Sequence, residues 1–90
     1  METIEDLKDY LIEVFPEAQI YLFGSHSRGE ETEWSDLDIA LYSNTDLGQK
    51  LAWTRYEIEE SHLPYKVDLI DLKTAPYLKK IVEKEGVRWH

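Results

Sequence analysis

The stretch from Gly24 to Asp38, GSHSRGEETEWSDLD, decides how the rest of the chain is read. A Gly-Ser pair leaves the apolar run QIYLF at 19–23, a polar loop follows, and two aspartates one residue apart open the next apolar run, DLDIALY at 36–42. A β-strand alternates its side chains between two faces, so Asp36 and Asp38 project from one face of that run while Leu37, Ile39 and Leu41 project from the other. Two carboxylates at this spacing form a compact negative claw for a hard cation such as Mg²⁺, which takes oxygen ligands and is commonly held by one or two carboxylates plus the phosphates of a substrate. Gly24, directly after a strand, lets backbone approach a ligand without a Cβ in the way, and free N–H groups at a following helical turn attract anions. Ser25 adds a hydroxyl donor. Grip and claw together suit a nucleoside triphosphate bridged by Mg²⁺.

Gly24, Ser25, Asp36 and Asp38 meet the pattern G-S, ten residues, D-x-D. This resembles the signature of the DNA polymerase β-like nucleotidyltransferase superfamily, and Arg28-Gly29 in the loop with Ser35 before the claw looks most like its minimal nucleotidyltransferase branch. The resemblance spans nearly the whole chain. It implies a third carboxylate from a later strand, which KVDLIDL at 66–72 offers as Asp68. It also implies that Asp36, Asp38 and Asp68 are catalytic and hold two Mg²⁺ ions, with Asp68 as base, while Gly24, Ser25 and Arg28 bind the nucleotide and pyrophosphate departs. Relatives often have Arg-Ala where His26-Ser27 stands here, a departure that bears on fine substrate contacts.

Upstream of the signature, Thr3 is placed to cap a first helix, with Glu5 and Asp6 in its first turn where acidic groups favour the positive end of the helix dipole. Ile4, Leu7, Leu11, Val14 and Phe15 recur at helical spacing, and Pro16 disfavours helix at Phe15 and ends it. The first strand, 19–23, puts Ile20 and Leu22 on one face and Tyr21 and Phe23 on the other. The short loop to 36–42 favours an antiparallel pair.

Downstream, Asn44 or Thr45 is expected to cap a second helix over roughly 46–61, with Leu47, Leu51, Thr54 and Ile58 as its buried stripe. Gly48 is expected to cost that helix about 1 kcal/mol relative to alanine. Trp53 and Tyr56 lie beside the stripe and are expected to widen the core contact, the alternative being an aromatic edge for a partner. Strand, helix and strand in this order predict a crossover that makes the third strand, 66–72, parallel to the second. If Val67 and Leu69 continue the apolar face of Leu37, Ile39 and Leu41, then Asp68 falls on the carboxylate face and Asp71 is a polar strand end. Pro76 opens a last helix at about 75–85, with Leu78, Ile81 and Val82 facing inward and Gly86 ending it in the left-handed conformation. Val87 to His90 form a short terminal strand or simply stop. The expected fold is α/β (α+β): a small mixed sheet of three or four strands with helices packed on one face, which the resemblance identifies as a polymerase β palm-like nucleotidyltransferase fold.

Ninety residues suit a single domain over 1–90. There is no cysteine, which excludes disulfides and thiolate zinc sites. No apolar run reaches membrane-span length and the first residues lack the basic start and apolar block of a signal peptide, so no membrane role and a cytoplasmic location are expected. Nineteen acidic residues against ten basic ones give a formal charge of −9. A basic patch normally carries backbone binding to nucleic acid, so no nucleic-acid template is expected. His62 and His90 lack metal spacing, and His26 reads as a solvated loop residue.

The leading reading is transfer of a nucleoside monophosphate, AMP from ATP, to a hydroxyl. Small stand-alone members of the resembled branch act as antitoxins of a type VII-like toxin-antitoxin system, adenylylating a HEPN-type toxin on tyrosine, and this implies a HEPN toxin as partner. One alternative is transfer to a small hydroxylated molecule such as an aminoglycoside. Another is a non-catalytic partner-binding module, against which a repulsive carboxylate cluster argues.

Overall fold

The computed structural model describes residues 1–24 and 37–90. Its elements run α1 (Ile4–Val14), β1 (Gln19–Phe23), β2 (Leu37–Tyr42), α2 (Gly48–Glu59), β3 (Val67–Asp71), a 3₁₀ turn at Pro76–Leu78, α3 (Lys79–Glu85) and β4 (Val87–Arg88). The strands form one sheet in the order β3-β2-β1-β4, with β1 antiparallel to β2 and β4, and β2 parallel to β3. The expected hairpin-like pair and the parallel crossover through α2 are both present.

Helix α1 starts where Thr3 places it. The Asp6 N–H donates to the Thr3 hydroxyl at 3.0 Å, and the Asp6 carboxylate accepts from the N–H groups of Glu2 and Thr3 at 3.0 and 3.1 Å. Two orphan donors of the helix start are thereby satisfied reciprocally. These backbone bonds hold the Asp6 carboxyl below its ordinary value. A carboxyl whose folded pKa is depressed stabilises the fold above its unfolded pKa, and that contribution is lost as pH falls through the folded value. Thr3→Ala should therefore cost about 1 kcal/mol. The deficit of Asp6→Ala should be full at pH 7 and shrink once pH drops below about 4, as urea unfolding at the two pH values would show.

On one sheet face Ile20, Leu37, Ile39, Leu41 and Leu69 pack against Leu7, Leu11 and Phe15 of the α1 segment and Leu47, Leu51 and Ile58 of α2. Full burial of side chains of this size contributes roughly 1.5–3 kcal/mol each. The two long helices thus cover one face, as expected. The short α3 adds a partial cover on the other, where Val82 meets Phe23, Ala40 and Leu72 with Tyr21, Tyr42, Ile70 and Leu78 around them.

Several local expectations are corrected. Helix α2 begins at Gly48, with Leu47 at its cap position and no side-chain cap bond. Neither Asn44 nor Thr45 caps it: the Asp46 carboxylate accepts the Gly48 N–H at 2.9 Å, and Thr45 is held in a turn by Ser43. Gly48 is the first helical residue, so the interior cost assigned to it does not arise. The stripe of Leu47, Leu51, Thr54 and Ile58 is buried as read, and the Thr54 hydroxyl donates to the Lys50 carbonyl at 2.6 Å.

Trp53 and Tyr56 do not join the core; they are 62% and 55% exposed, with tilted rings 6.0 Å apart. Trp53 stands two residues from Leu51, and Tyr56 two from both Thr54 and Ile58, and positions two apart on a helix do not face the same side. Ile81 is likewise exposed, because the seven-residue α3 reaches the sheet through Val82. Gly86 is extended at φ −75° and not left-handed. Its N–H donates to the Val82 carbonyl at 2.8 Å, and a Cβ there would run into that same oxygen, so the requirement for glycine is steric. The end of the chain is a strand, β4, joined to β1.

Candidate active site

The face of the sheet that α3 partly covers has two ends. At one, Tyr42 and Leu72 belong to the apolar patch under α3. At the other, the register sets Asp38 of β2 directly beside Asp68 of β3 and opposite Phe23 of β1. The odd-numbered neighbours Leu37, Ile39 and Leu69 are drawn into the core on the far side, so alternation leaves both carboxylates on the face without α1 and α2. Asp38 is half-buried and Asp68 exposed. Neighbouring strands lie about 4.8 Å apart, and like charges directly across a ladder destabilise it. The sheet therefore holds two mutually repelling acids at its open end, an arrangement suited to a cation or to a proton in transit.

Gly24 closes this end from β1. Its φ is +81°, a left-handed value, and a Cβ placed on it would stand 2.5 Å from Asp38 Oδ2. The Asp38 carboxylate thus rests against the glycine backbone. Glycine is required twice over, for its backbone angle and for the space the carboxylate fills.

The structure therefore brings together Gly24, Asp38 and Asp68 of the predicted set. Ser25, Arg28 and Asp36 lie outside the described residues, as does His26. No group of three potential metal ligands occurs among the described residues; these supply Asp38 and Asp68 to the predicted trio. Asp71 is a strand-end residue: its carboxylate accepts the Lys73 N–H at 2.9 Å and its carbonyl accepts from Thr74 and Ala75. The His90 ring bonds the Pro16 carbonyl at 2.9 Å, a structural contact. Arg55, to which no motif drew attention, donates to the Leu69 carbonyl at 2.7 Å beside Asp68. The two residues are fourteen apart in sequence, and no local pattern announces such a bond.

The family model of the nucleotidyltransferase domain matches residues 4–89. A probable protein adenylyltransferase, MntA, of Haemophilus influenzae is 34% identical over 92% of this chain and 75% of its own length. Among solved structures, a toxin-antitoxin complex with AMP-PNP superposes with a TM-score of 0.74 at 29% identity, over 92% of this chain and 72% of the matched one. The complex of tri-AMPylated Shewanella oneidensis HEPN toxin with MNT antitoxin gives 0.66 at 26% identity, over 96% of this chain and 71% of the matched one. The fold is the nucleotidyltransferase fold that the Gly-Ser and Asp-x-Asp pattern pointed to. The chain belongs to the nucleotidyltransferase domain family, on its minimal nucleotidyltransferase branch, and is an enzyme of that class.

Proposed function

We propose that this chain is a Mg²⁺-dependent protein adenylyltransferase that moves AMP from ATP to a hydroxyl of a HEPN-type toxin, and so acts as its antitoxin in the cytoplasm. The observation that carries the reading is the in-register pairing of Asp38 with Asp68 at the open end of the sheet, against the left-handed Gly24. The relatives named as adenylyltransferases and the AMPylated HEPN toxin bound by a similar chain support the choice of reaction and partner.

The residues fit the metal. A hard dication takes oxygen ligands, and adjacent carboxylates on one open face offer them where their own repulsion favours a counter-charge. Asp36 and Asp38 would hold one ion and, with Asp68, a second. When bound, the ions supply charge stabilisation to the entering and leaving oxygens. Gly24 and Ser25 position the triphosphate, and Arg28 contacts a phosphate or braces the loop. Asp68, exposed at the sheet margin, accepts the proton of the acceptor hydroxyl. The acceptor oxygen forms a bond to the α-phosphorus while the bond from that phosphorus to the bridging oxygen breaks, and pyrophosphate leaves. Asp68→Asn should keep nucleotide binding and lose transfer; preserved turnover would remove Asp68 from this role.

The direct test is incubation with Mg²⁺, α-labelled ATP and the product of any adjacent gene, with Asp38→Asn as control. Label on that protein with wild type alone is the expected result. A complex that forms without label from any nucleoside triphosphate would replace the reading with a partner-binding module. Absence of both would turn attention to small acceptors.

A further inference from the structure

Asp68 stands at a lightly supported place in the sheet. Strand β3 is an edge strand, paired with β2 among the described strands, and it begins at Val67, one residue before the acid. A cleft of about 380 Å³ separates its first residues from the second half of α2, with Ile58, Leu63, Val67 and Leu69 in its lining, so side-chain packing holds this end of the strand incompletely. The backbone shows which groups of β3 the ladder holds. The Lys66 carbonyl accepts from the Leu37 N–H at 2.8 Å and the Leu72 N–H donates to the Leu41 carbonyl at 3.0 Å, both toward β2. By alternation the N–H and carbonyl of Asp68 also face β2, while those of Val67 and Leu69 face the outer edge. At that edge Arg55 Nη2 donates to the Leu69 carbonyl at 2.7 Å.

We propose that Arg55 is a positioning residue for Asp68; the inference rests on the adenylyltransferase reading above, in which Asp68 takes the proton of the acceptor hydroxyl. Helix α2 covers the sheet face that carries Leu69, and the Asp68 side chain belongs to the other face, so the guanidinium acts on the strand and not on the carboxylate. Its own base is firm. Arg55 leaves α2 between the buried Thr54 and Ile58, and a charged donor on a carbonyl makes one of the stronger hydrogen bonds. The bond stands in for the second ladder that an edge strand lacks. With β2 on one side and Arg55 on the other, the backbone of Asp68 and Leu69 is held from both sides, which fixes the acid against the acceptor hydroxyl. Asp38 belongs to β2 and Gly24 follows β1, so the grip on the nucleotide is placed independently of this bond.

Steady-state transfer from α-labelled ATP to the product of an adjacent gene tests this with Arg55→Met and Arg55→Lys. Methionine keeps an apolar stem without the donors, and lysine keeps a cationic donor. A displacement of about 1 Å remote from the chemistry can cost about 10²-fold, and the β2 ladder limits the shift here. The expected result for Arg55→Met is therefore a kcat about tenfold lower, with the KM for ATP within about twofold of wild type, and Arg55→Lys should recover kcat to within about threefold. In an Asp68→Asn background Arg55→Met should lower the residual transfer hardly at all, since residues that act through one another are not additive. Amide hydrogen exchange adds a readout that needs no acceptor: the Asp68 and Ile70 N–H groups should exchange faster in Arg55→Met, with those of β1 at the wild-type rate. An unchanged kcat, a change confined to the KM for ATP, or a full tenfold loss in the Asp68→Asn background would each overturn the proposal. So would exchange that is unchanged in β3 or that rises equally across the sheet, the mark of a general stability role. A wild-type protein that labels no acceptor removes the adenylyltransferase reading and this inference with it, and the wild-type reaction alone tells that outcome from the others.

Discussion

Asp38→Asn is expected to lower transfer by at least about 10²–10³-fold, the loss typical when one group that stabilises developing charge is removed. The same variant should be as stable as wild type, or slightly more so, in the absence of divalent cation. Asparagine has nearly the shape of aspartate, so it keeps the contact with Gly24. It also removes one of two like charges set side by side across the β2–β3 ladder, a repulsion of roughly 0.2–1 kcal/mol. With Mg²⁺ added, wild type should gain stability, by about 2.7 kcal/mol at a hundred times the Kd, and the variant should gain little. Urea unfolding with and without Mg²⁺, alongside label transfer, separates these effects. A loss of more than about 1 kcal/mol in the metal-free variant would make Asp38 a structural residue, because removal of a repelling charge does not otherwise weaken the fold.

The residues that made the site legible are those whose periodicity has a single reading. In QIYLF and DLDIALY alternation fixes the faces; the family resemblance points to Asp68, alternation agrees in putting it on the carboxylate face, and the register of the β2–β3 ladder sets it beside Asp38. Thr3 was equally readable, since a capping residue acts within one turn. Trp53 and Tyr56 were not. Their bulk and apolarity argue for burial, and only their offset from Leu51, Thr54 and Ile58 decides against it. Gly86 shows the same limit: glycine is needed there because the Val82 carbonyl leaves no room, not because the backbone is left-handed. Strand β4 depends on pairing with β1 across most of the chain, where the N–H groups of Trp89 and His90 reach the Ile20 carbonyl, and a two-residue strand has no pattern of its own. Arg55 escaped notice for a related reason, since its partner is a backbone carbonyl and backbone carbonyls leave no mark on a sequence.

Gly24→Ala should reduce transfer by about 10²-fold while changing no chemical group of the site. The methyl group would stand 2.5 Å from Asp38 Oδ2, well inside ordinary contact, so one of them must move. The carboxylate is the softer of the two, because the Gly24 backbone is continuous with β1 and is fixed by its pairing with β2. A displacement of about 1 Å at a group that positions reactants is enough for a loss of that size. The left-handed φ of +81° adds a separate cost, roughly 1–2 kcal/mol of folding stability for a residue with a Cβ. The two consequences can be resolved. If the activity loss comes through Asp38, Gly24→Ala placed in an Asp38→Asn background should cost the same stability yet lower the residual transfer hardly at all, since coupled residues are not additive. A further hundredfold loss in the double variant would show that Gly24 acts independently of Asp38, through the phosphate grip formed with Ser25.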